Sequence, residues 1–303
     1  MAAYVIRRLF ISIPTVFLVV TAVFFAFQVI PGDAARMYAG DQASLAAVEA
    51  IRVELGLDQP VGVQYLSYLK RLSSGDLGIS FITRRPVTLE IGTRFANTAV
   101  LAFGAIIAST LLGIFMGVVA ALHRGKWLDH FLSVLAVGGI SIPVFWLGLL
   151  LMFLFSLKLH WLPTAGNGTW RHYIMPTFCL SVYSVAFITR MARSTVLDVL
   201  GSDYVRTAES KGLRNRIINI RHVIRNALIP LITTVGLRFG YMLGGAVVTE
   251  TVFAWPGVGR LLVIAVTQRD IPVVQGILLV FASVFLLVNI IVDVLYSVAD
   301  PRL

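Results

Sequence analysis

Histidine is the side chain best suited to bind a metal or move a proton near neutral pH, and the chain has five, at positions 123, 130, 160, 172 and 222. Their spacing matches no metal-ligand set, and each sits in a loop or at the edge of an apolar run. His160 and His172 bracket one loop and could meet a metal or an anionic solute there, but ordinary interfacial histidines account for them better. The single cysteine, Cys179, lies inside an apolar run, which rules out an internal disulfide or a cysteine cluster. No carboxylate pair and no Ser/His/Asp set falls on a shared face, so neither a catalytic residue nor a metal site is expected. The Gly-x-x-x-x-Gly-Lys-Ser/Thr phosphate loop is absent, so any ATP must be hydrolysed by another subunit, and the chain itself is expected to carry no cofactor.

Two ionisable residues fall inside apolar runs, where a charge is a functional hypothesis by default. Arg238 stands in the middle of one, between Gly236 and Gly240. An arginine at the centre of a membrane helix costs about 2.5–3.5 kcal/mol on insertion scales, so it must face protein or water. Arg238 is therefore a candidate for a solute path, with a structural ion pair or carbonyl partner as the competing role. Asp293 lies nearer the end of the last run and reads as a structural acceptor near the interface.

The elements that carry these residues are membrane spans. Hydrophobic residues make up 58% of the 303 and charged residues only 13%, against roughly 45–50% and 25% in globular domains. A soluble fold could not cover that much apolar side chain, so lipid must be solvent for part of it. The net charge of +10 invites a nucleic-acid partner, but the basic residues cluster at the ends of apolar runs, as orientation signals do. No nucleic acid is expected.

Six segments are long enough to span, at roughly 9–30, 98–122, 131–157, 174–192, 227–248 and 273–298. The first follows Arg7 and Arg8 and resembles a signal peptide, but its apolar run of 22 residues exceeds the ~7–15 of a signal core, so a retained span is expected. The third contains Pro143 after Gly138, Gly139 and Ser141, which predicts a kink. Arg7/Arg8, Arg124/Lys126 and the basic segment 190–226 fall on one side if the spans alternate. Segment 31–97, on the other side, has seven basic and seven acidic residues. The bias predicts cytoplasmic N- and C-termini. Segment 31–97 is expected to form a periplasmic helical cap, with Leu45, Val48, Ile51 and Leu55 on one face of a first helix and a second helix over 63–72. Segment 193–226 is expected to form a cytoplasmic helix, a turn at Gly212 and a second helix with Ile217, Ile220, Ile224 and Leu228 in one stripe. No internal repeat or low-complexity tract is visible. The fold class expected is all-α, a single polytopic domain over 1–303.

The segment Asp203-Tyr-Val-Arg-Thr-Ala-Glu-Ser-Lys-Gly212, continuing from His222 to Pro230, resembles the cytoplasmic signature of binding-protein-dependent ABC permeases. Arg206-Thr207-Ala208 occupies the Glu-Ala-Ala positions of the general pattern, and Gly212 matches its glycine. The departure at Arg206 and the late Pro230 are features of the dipeptide/oligopeptide/nickel branch. Further pieces resemble that branch: Leu55–Pro60, Gly75–Ser80, Arg85-Pro-Val87, Glu250–Gly259, Arg269-Asp-Ile-Pro272, Gln275, Asn289–Tyr296 and the terminal Asp300-Pro-Arg. Arg84–Val87 and Trp161–Gly166, followed by Trp170, look most similar to dipeptide-type and glutathione-type members.

The resemblance implies a bacterial inner-membrane permease subunit of an ATP-driven importer for a di-/oligopeptide or glutathione-like solute. A nickel or other small-solute permease of the same family is the alternative. It further implies a second homologous permease, two ATP-binding subunits carrying the ATP and Mg, and a periplasmic or lipid-anchored solute-binding protein. Tyr204, Arg206, Thr207, Ala208, Lys211, Gly212 and Leu213 would form the coupling element that docks on the ATPase. An ion-coupled secondary transporter and a membrane enzyme are the rival classes. The first wants ion-coupling groups at mid-membrane, where only Arg238 is charged, and the second wants clustered polar residues that are not visible.

Overall fold

The computed structural model describes the backbone of residues 2–29, 33–40 and 42–299 and the side chains of 10–28, 33, 35–40, 42–228 and 230–294. The Arg7 and Arg8 side chains, Pro31-Gly32 and Asp300-Pro301-Arg302 lie outside the described residues. In chain order the helices are α1 (Ala2–Val29), α2 (Ala34–Ala39), α3 (Leu45–Glu54), α4 (Val61–Ser73), α5 (Val87–Leu122) and α6 (Trp127–Ser141). There follow α7 (Val144–Leu151), α8 (Arg171–Leu200), α9 (Asp203–Ser210), α10 (Asn215–Ile217), α11 (Arg225–Val252), α12 (Val258–Thr267) and α13 (Ile271–Ala299). Two π-helical stretches, Met152–Lys158 and Ile218–Ile224, continue α7 and lead into α11. Among the described residues there is no strand, only an isolated bridge between Ile79 and Pro86.

Among the described residues, five helical segments are long and apolar enough to cross a membrane: Phe10–Gln28, Val87–Leu122, Arg171–Leu200, Pro230–Val252 and Ile271–Val294. The sixth candidate is broken. Where a kink was expected, α6 and α7 meet at 103°. Ile142 is extended (φ −83°, ψ 121°), as the ring of a following proline demands, and the helix restarts after Pro143. Cys179 on α8 donates its thiol hydrogen to the Val144 carbonyl at 3.2 Å, beside the break.

Helices α5 and α8 form the spine. They run parallel, because Gly104 faces Thr177, Gly113 faces Ile188 and Gly117 faces Ala192. A Cβ at Gly117 would stand 2.5 Å from that of Ala192, so only glycine permits this approach. Helix α5 begins at Val87 rather than at 98, and α8 runs to Leu200 rather than to 192. One end of the bundle therefore gathers the starts of α5, α8 and α13 with the end of α11. The other gathers the ends of α5 and α8 with α9 and the start of α11.

Distant motifs meet at the first of these ends. Asp270, 3% exposed, accepts from the Ser80 hydroxyl and from Phe81 N–H (3.0 Å), and Gly276 lies tight against Val87. The segments 75–87 and 269–272 are thus halves of one fastening. Nearby, Asp33 caps α2 and pairs with Arg52 at 2.7 Å, and Ser44 caps α3. Val48 is buried as the pattern predicted, whereas Leu45, in the first turn of α3, is 80% exposed. Helix α4 lies on α1 through Phe24, Tyr65 and Tyr68, and burial pushes the Tyr68 phenol up to about 12.

Candidate coupling surface and solute path

Helix α9 is amphipathic, and its inner face decides its position. Val205 and Ala208 are buried against Ala121, Val196, Ile218, Val223 and Ala227. Tyr204, Arg206, Thr207, Lys211, Gly212 and Leu213 are exposed. Ala208 therefore anchors the helix from within and offers no surface to a partner. The turn after α9 passes through Gly212 at φ +71°, a left-handed conformation that favours glycine. A Cβ at that glycine would meet nothing within 4 Å.

The return helix turns most of the expected stripe outward and packs a different face. Its π-helical stretch widens the turn, so Ile218 and Val223, five apart, both point inward, followed by Ala227. Ile217, Ile220 and Leu228 remain exposed, while Ile224 is half-buried. Asn226 donates to the Tyr204 hydroxyl at 3.3 Å and ties the two helices together. The result is an exposed face, basic and apolar by turns, on a buried base.

That base is braced by an ion pair. Arg193 donates through Nε (2.6 Å) and Nη2 (2.8 Å) to the two carboxylate oxygens of Asp129, which is 2% exposed and also accepts from Gly125 N–H at 3.0 Å. The forked geometry links the first turn of α6 to α8 one stretch before α9. Sequence reasoning counted Arg193 among orientation charges and passed over Asp129. The available signal was an acid beside an otherwise uncharged span.

Arg238 faces α8, where its guanidinium lies 3.4 Å from the ring centroid of Phe187 and 5.5 and 5.4 Å from those of Tyr183 and Tyr241. Among the described residues no carboxylate lies within ion-pair distance of it. The aromatic faces satisfy the cation in place of an acid. Gly236 and Gly240 do allow close approach, but the neighbour is α13: Val292 and Phe285 fill the space beside them. The glycines and the arginine therefore serve different faces of α11. Tyr183 and Tyr241 are 41% and 64% exposed, so the arginine sits at the edge of an open aromatic surface.

Another buried acid, Glu250, is visible in the sequence only as the first residue of the Glu250–Gly259 resemblance, because it lies just past the expected span end. It is fully buried and accepts from Thr98 Oγ (2.6 Å) and from the N–H groups of Gly259 and Arg260 (2.9 Å for the latter). Gly257 and Gly259 are glycines because a Cβ on either would strike the Glu250 carboxylate. Trp255, also fully buried, donates through Nε1 to the Asn97 carbonyl at 3.1 Å. The segment 250–259 thus closes α11 onto α5 and seats the first turn of α12.

Residues 109–303 match the family described as binding-protein-dependent transport system inner membrane component, and residues 1–102 match its N-terminal companion. The chain is 44% identical over its full length, and 99% of the relative's, to the glutathione transport system permease protein GsiC of Escherichia coli (strain K12). It is 45% identical, at the same coverage, to GsiC of Salmonella typhimurium. The chain belongs to the binding-protein-dependent ABC permeases.

Its fold is theirs too. An inward-facing MetNI methionine ABC transporter structure matches 69% of the permease and 95% of that chain at a TM-score of 0.60 and 16% identity. A crystal structure of an amino acid ABC transporter with histidines matches 71% and 95% at a TM-score of 0.53 and 18% identity. The protein is the transmembrane permease subunit of an ABC importer. Such permeases are bacterial inner-membrane, multi-pass components and not themselves catalytic; they work with further permease, ATPase and solute-binding subunits.

Proposed function

We propose that the permease pairs with a second, related permease to import a small peptide of the di-/oligopeptide or glutathione class. The observation that carries this solute class is full-length identity of 44–45% to permeases named for glutathione transport. Two ATPase subunits, holding the ATP and Mg, dock at the α9 end, and a periplasmic or lipid-anchored solute-binding protein delivers solute at the opposite end. The N- and C-termini are then cytoplasmic, in keeping with the basic bias of 190–226.

The coupling contact is made by Tyr204, Arg206, Thr207, Lys211, Gly212 and Leu213, whose exposure on a fixed base suits a groove on a soluble partner. Arg238 lines the solute path, held by Phe187 with Tyr183 and Tyr241 beside it. A guanidinium resting on rings keeps its donors free for a passing carboxylate, without the tight grip that would slow release.

The test is to express the permease with its genomic neighbours, purify it by a tag on this chain, and ask what co-elutes. Co-elution of two ATPases and a second permease, with a binding protein that retains a small peptide, is the expected result. A chain that purifies alone and transports alone would overturn it.

A further inference from the structure

A cavity of about 560 Å3 lies at the end of the bundle opposite α9, walled by Ser156 of the π-helical stretch Met152–Lys158, by the loop that follows it and by the first turn of α8. That volume lies in the range of ordinary ligand sites, ≈ 300–1,000 Å3. Its chemistry has one sign. Arg171, His160 and His172 line it, no carboxylate does, and the chain has none between Asp129 and Asp198. Among the described residues Arg171 forms no ion pair; its guanidinium lies 5.7 Å from the Trp170 ring centroid. Thr169 surrounds His172 Nδ1 with its N–H at 3.0 Å, its hydroxyl at 2.9 Å and its carbonyl at 3.3 Å, so Nε2 is the ring nitrogen left for a ligand.

Two irregularities of the backbone mark the same place. His160 stands at φ +54°, a left-handed conformation that costs a non-glycine residue of order 1–3 kcal/mol and gathers at binding sites. The π-helical stretch itself is a rare form, frequent at functional positions. Around the mouth, Trp161 and Trp170 are 62% and 70% exposed, with Leu157 and Ile174 exposed beside them. Indoles and aliphatic side chains at the end of membrane spans belong at the lipid interface. A free phosphate would use the cationic floor and leave that rim in water.

We propose that this cavity binds the phosphate headgroup of an anionic phospholipid, with Arg171 supplying the charge, the two histidines further donors, and the indoles covering the glycerol and upper acyl chains. The proposal requires only that the permease lies in a bilayer and does not depend on which solute it carries.

The purified transporter complex would be placed in phosphatidylcholine nanodiscs containing equal fractions of chain-brominated phosphatidylglycerol or phosphatidylcholine, and tryptophan quenching compared. Brominated phosphatidylglycerol should quench more. The excess should vanish in the Trp161→Phe/Trp170→Phe variant, fall about fivefold in Arg171→Gln, the factor one arginine is worth near an anionic headgroup, and return in Arg171→Lys. Added inorganic phosphate should leave it unchanged. Native mass spectrometry of the wild-type complex, which needs no variant, should retain phosphatidylglycerol in preference to phosphatidylcholine. Equal quenching by the two lipids, equal retention, or an excess that survives Arg171→Gln would overturn the proposal. An excess removed by inorganic phosphate would assign the cavity to a soluble anion and overturn the lipid assignment.

Discussion

Thr98 on α5 donates its hydroxyl hydrogen to Glu250 Oε1 at 2.6 Å and, on the same oxygen, accepts the Val258 N–H at 2.8 Å. One hydroxyl thereby joins α5, the end of α11 and the start of α12. Both residues are essentially solvent-free, so neither bond can be replaced by water. Thr98→Val keeps the shape and removes both bonds, which leaves a buried donor and a buried acid short of a partner, a loss of about 1–3 kcal/mol each. The purified complex should melt at a lower temperature, and Thr98→Ser should restore most of the difference. An unchanged melting temperature for Thr98→Val would show that the junction holds by packing alone.

Gly259→Ala attacks the same junction sterically. Its Cβ would lie 2.7 Å from the Val247 Cα and against the Glu250 carboxylate, with backbone on one side that cannot give way. Membrane levels of this variant should drop sharply on a quantitative immunoblot, whereas Gly244→Ala, whose Cβ meets nothing within 4 Å, should match wild type.

Asp129 and Arg193 should show strong coupling in a double-mutant cycle. Asp129→Asn leaves a guanidinium that is 32% exposed and can rehydrate, whereas Arg193→Gln strands a buried carboxylate at a cost of roughly 3–5 kcal/mol, so the second should be the costlier. The double variant removes both charges together and should cost less than the sum of the singles. Strict additivity, measured by thermal unfolding of the complex, would mean the pair is not formed in the assembled transporter.

Gly212 separates folding from docking. Asparagine tolerates the left-handed conformation, and the space around the turn is open, so Gly212→Asn and Gly212→Asp should both reach the membrane at wild-type levels. If α9 docks on an ATPase, Gly212→Asp adds a charge at the contact and should abolish uptake. Wild-type uptake by Gly212→Asp at equal expression would show that the turn is not a close contact.

Arg238→Gln tests the path. With the charge gone and the complex assembled, uptake of solutes bearing a carboxylate should fall several-fold more than uptake of neutral ones. Phe187→Leu, which takes away the ring that seats the guanidinium, should shift the same ratio in the same direction. Equal loss for every solute, with poor assembly, would assign Arg238 to the subunit interface. Orientation is tested separately with single cysteines at the exposed Ser74 and Asn215, in a Cys179→Ser background. Residue 74 should react with an impermeant reagent in spheroplasts and residue 215 only after lysis.

The spans were legible in the sequence because membrane insertion sums transfer free energies of side chains close together in the chain, a local quantity. Runs such as 98–122 and 131–157 carry no charge, and Pro143 marks a weak point, since its missing N–H acts within one turn. Gly212 and the Arg206-Thr207-Ala208 signature were likewise readable, being contiguous.

Partners were decided only by the tertiary structure. Asp129 meets Arg193 across 64 positions and Thr98 meets Glu250 across 152, and no periodicity within either helix encodes those distances. The size of the break after Ile142, 103° where a kink was foreseen, depends on what α8 offers beneath it. The same holds for the glycines beside Arg238. The sequence showed that something could come close, and packing made that something Val292 and Phe285. Apolar length follows from residue type, but a buried charge takes its meaning from the group that satisfies it, and that group arrives only when the helices pack.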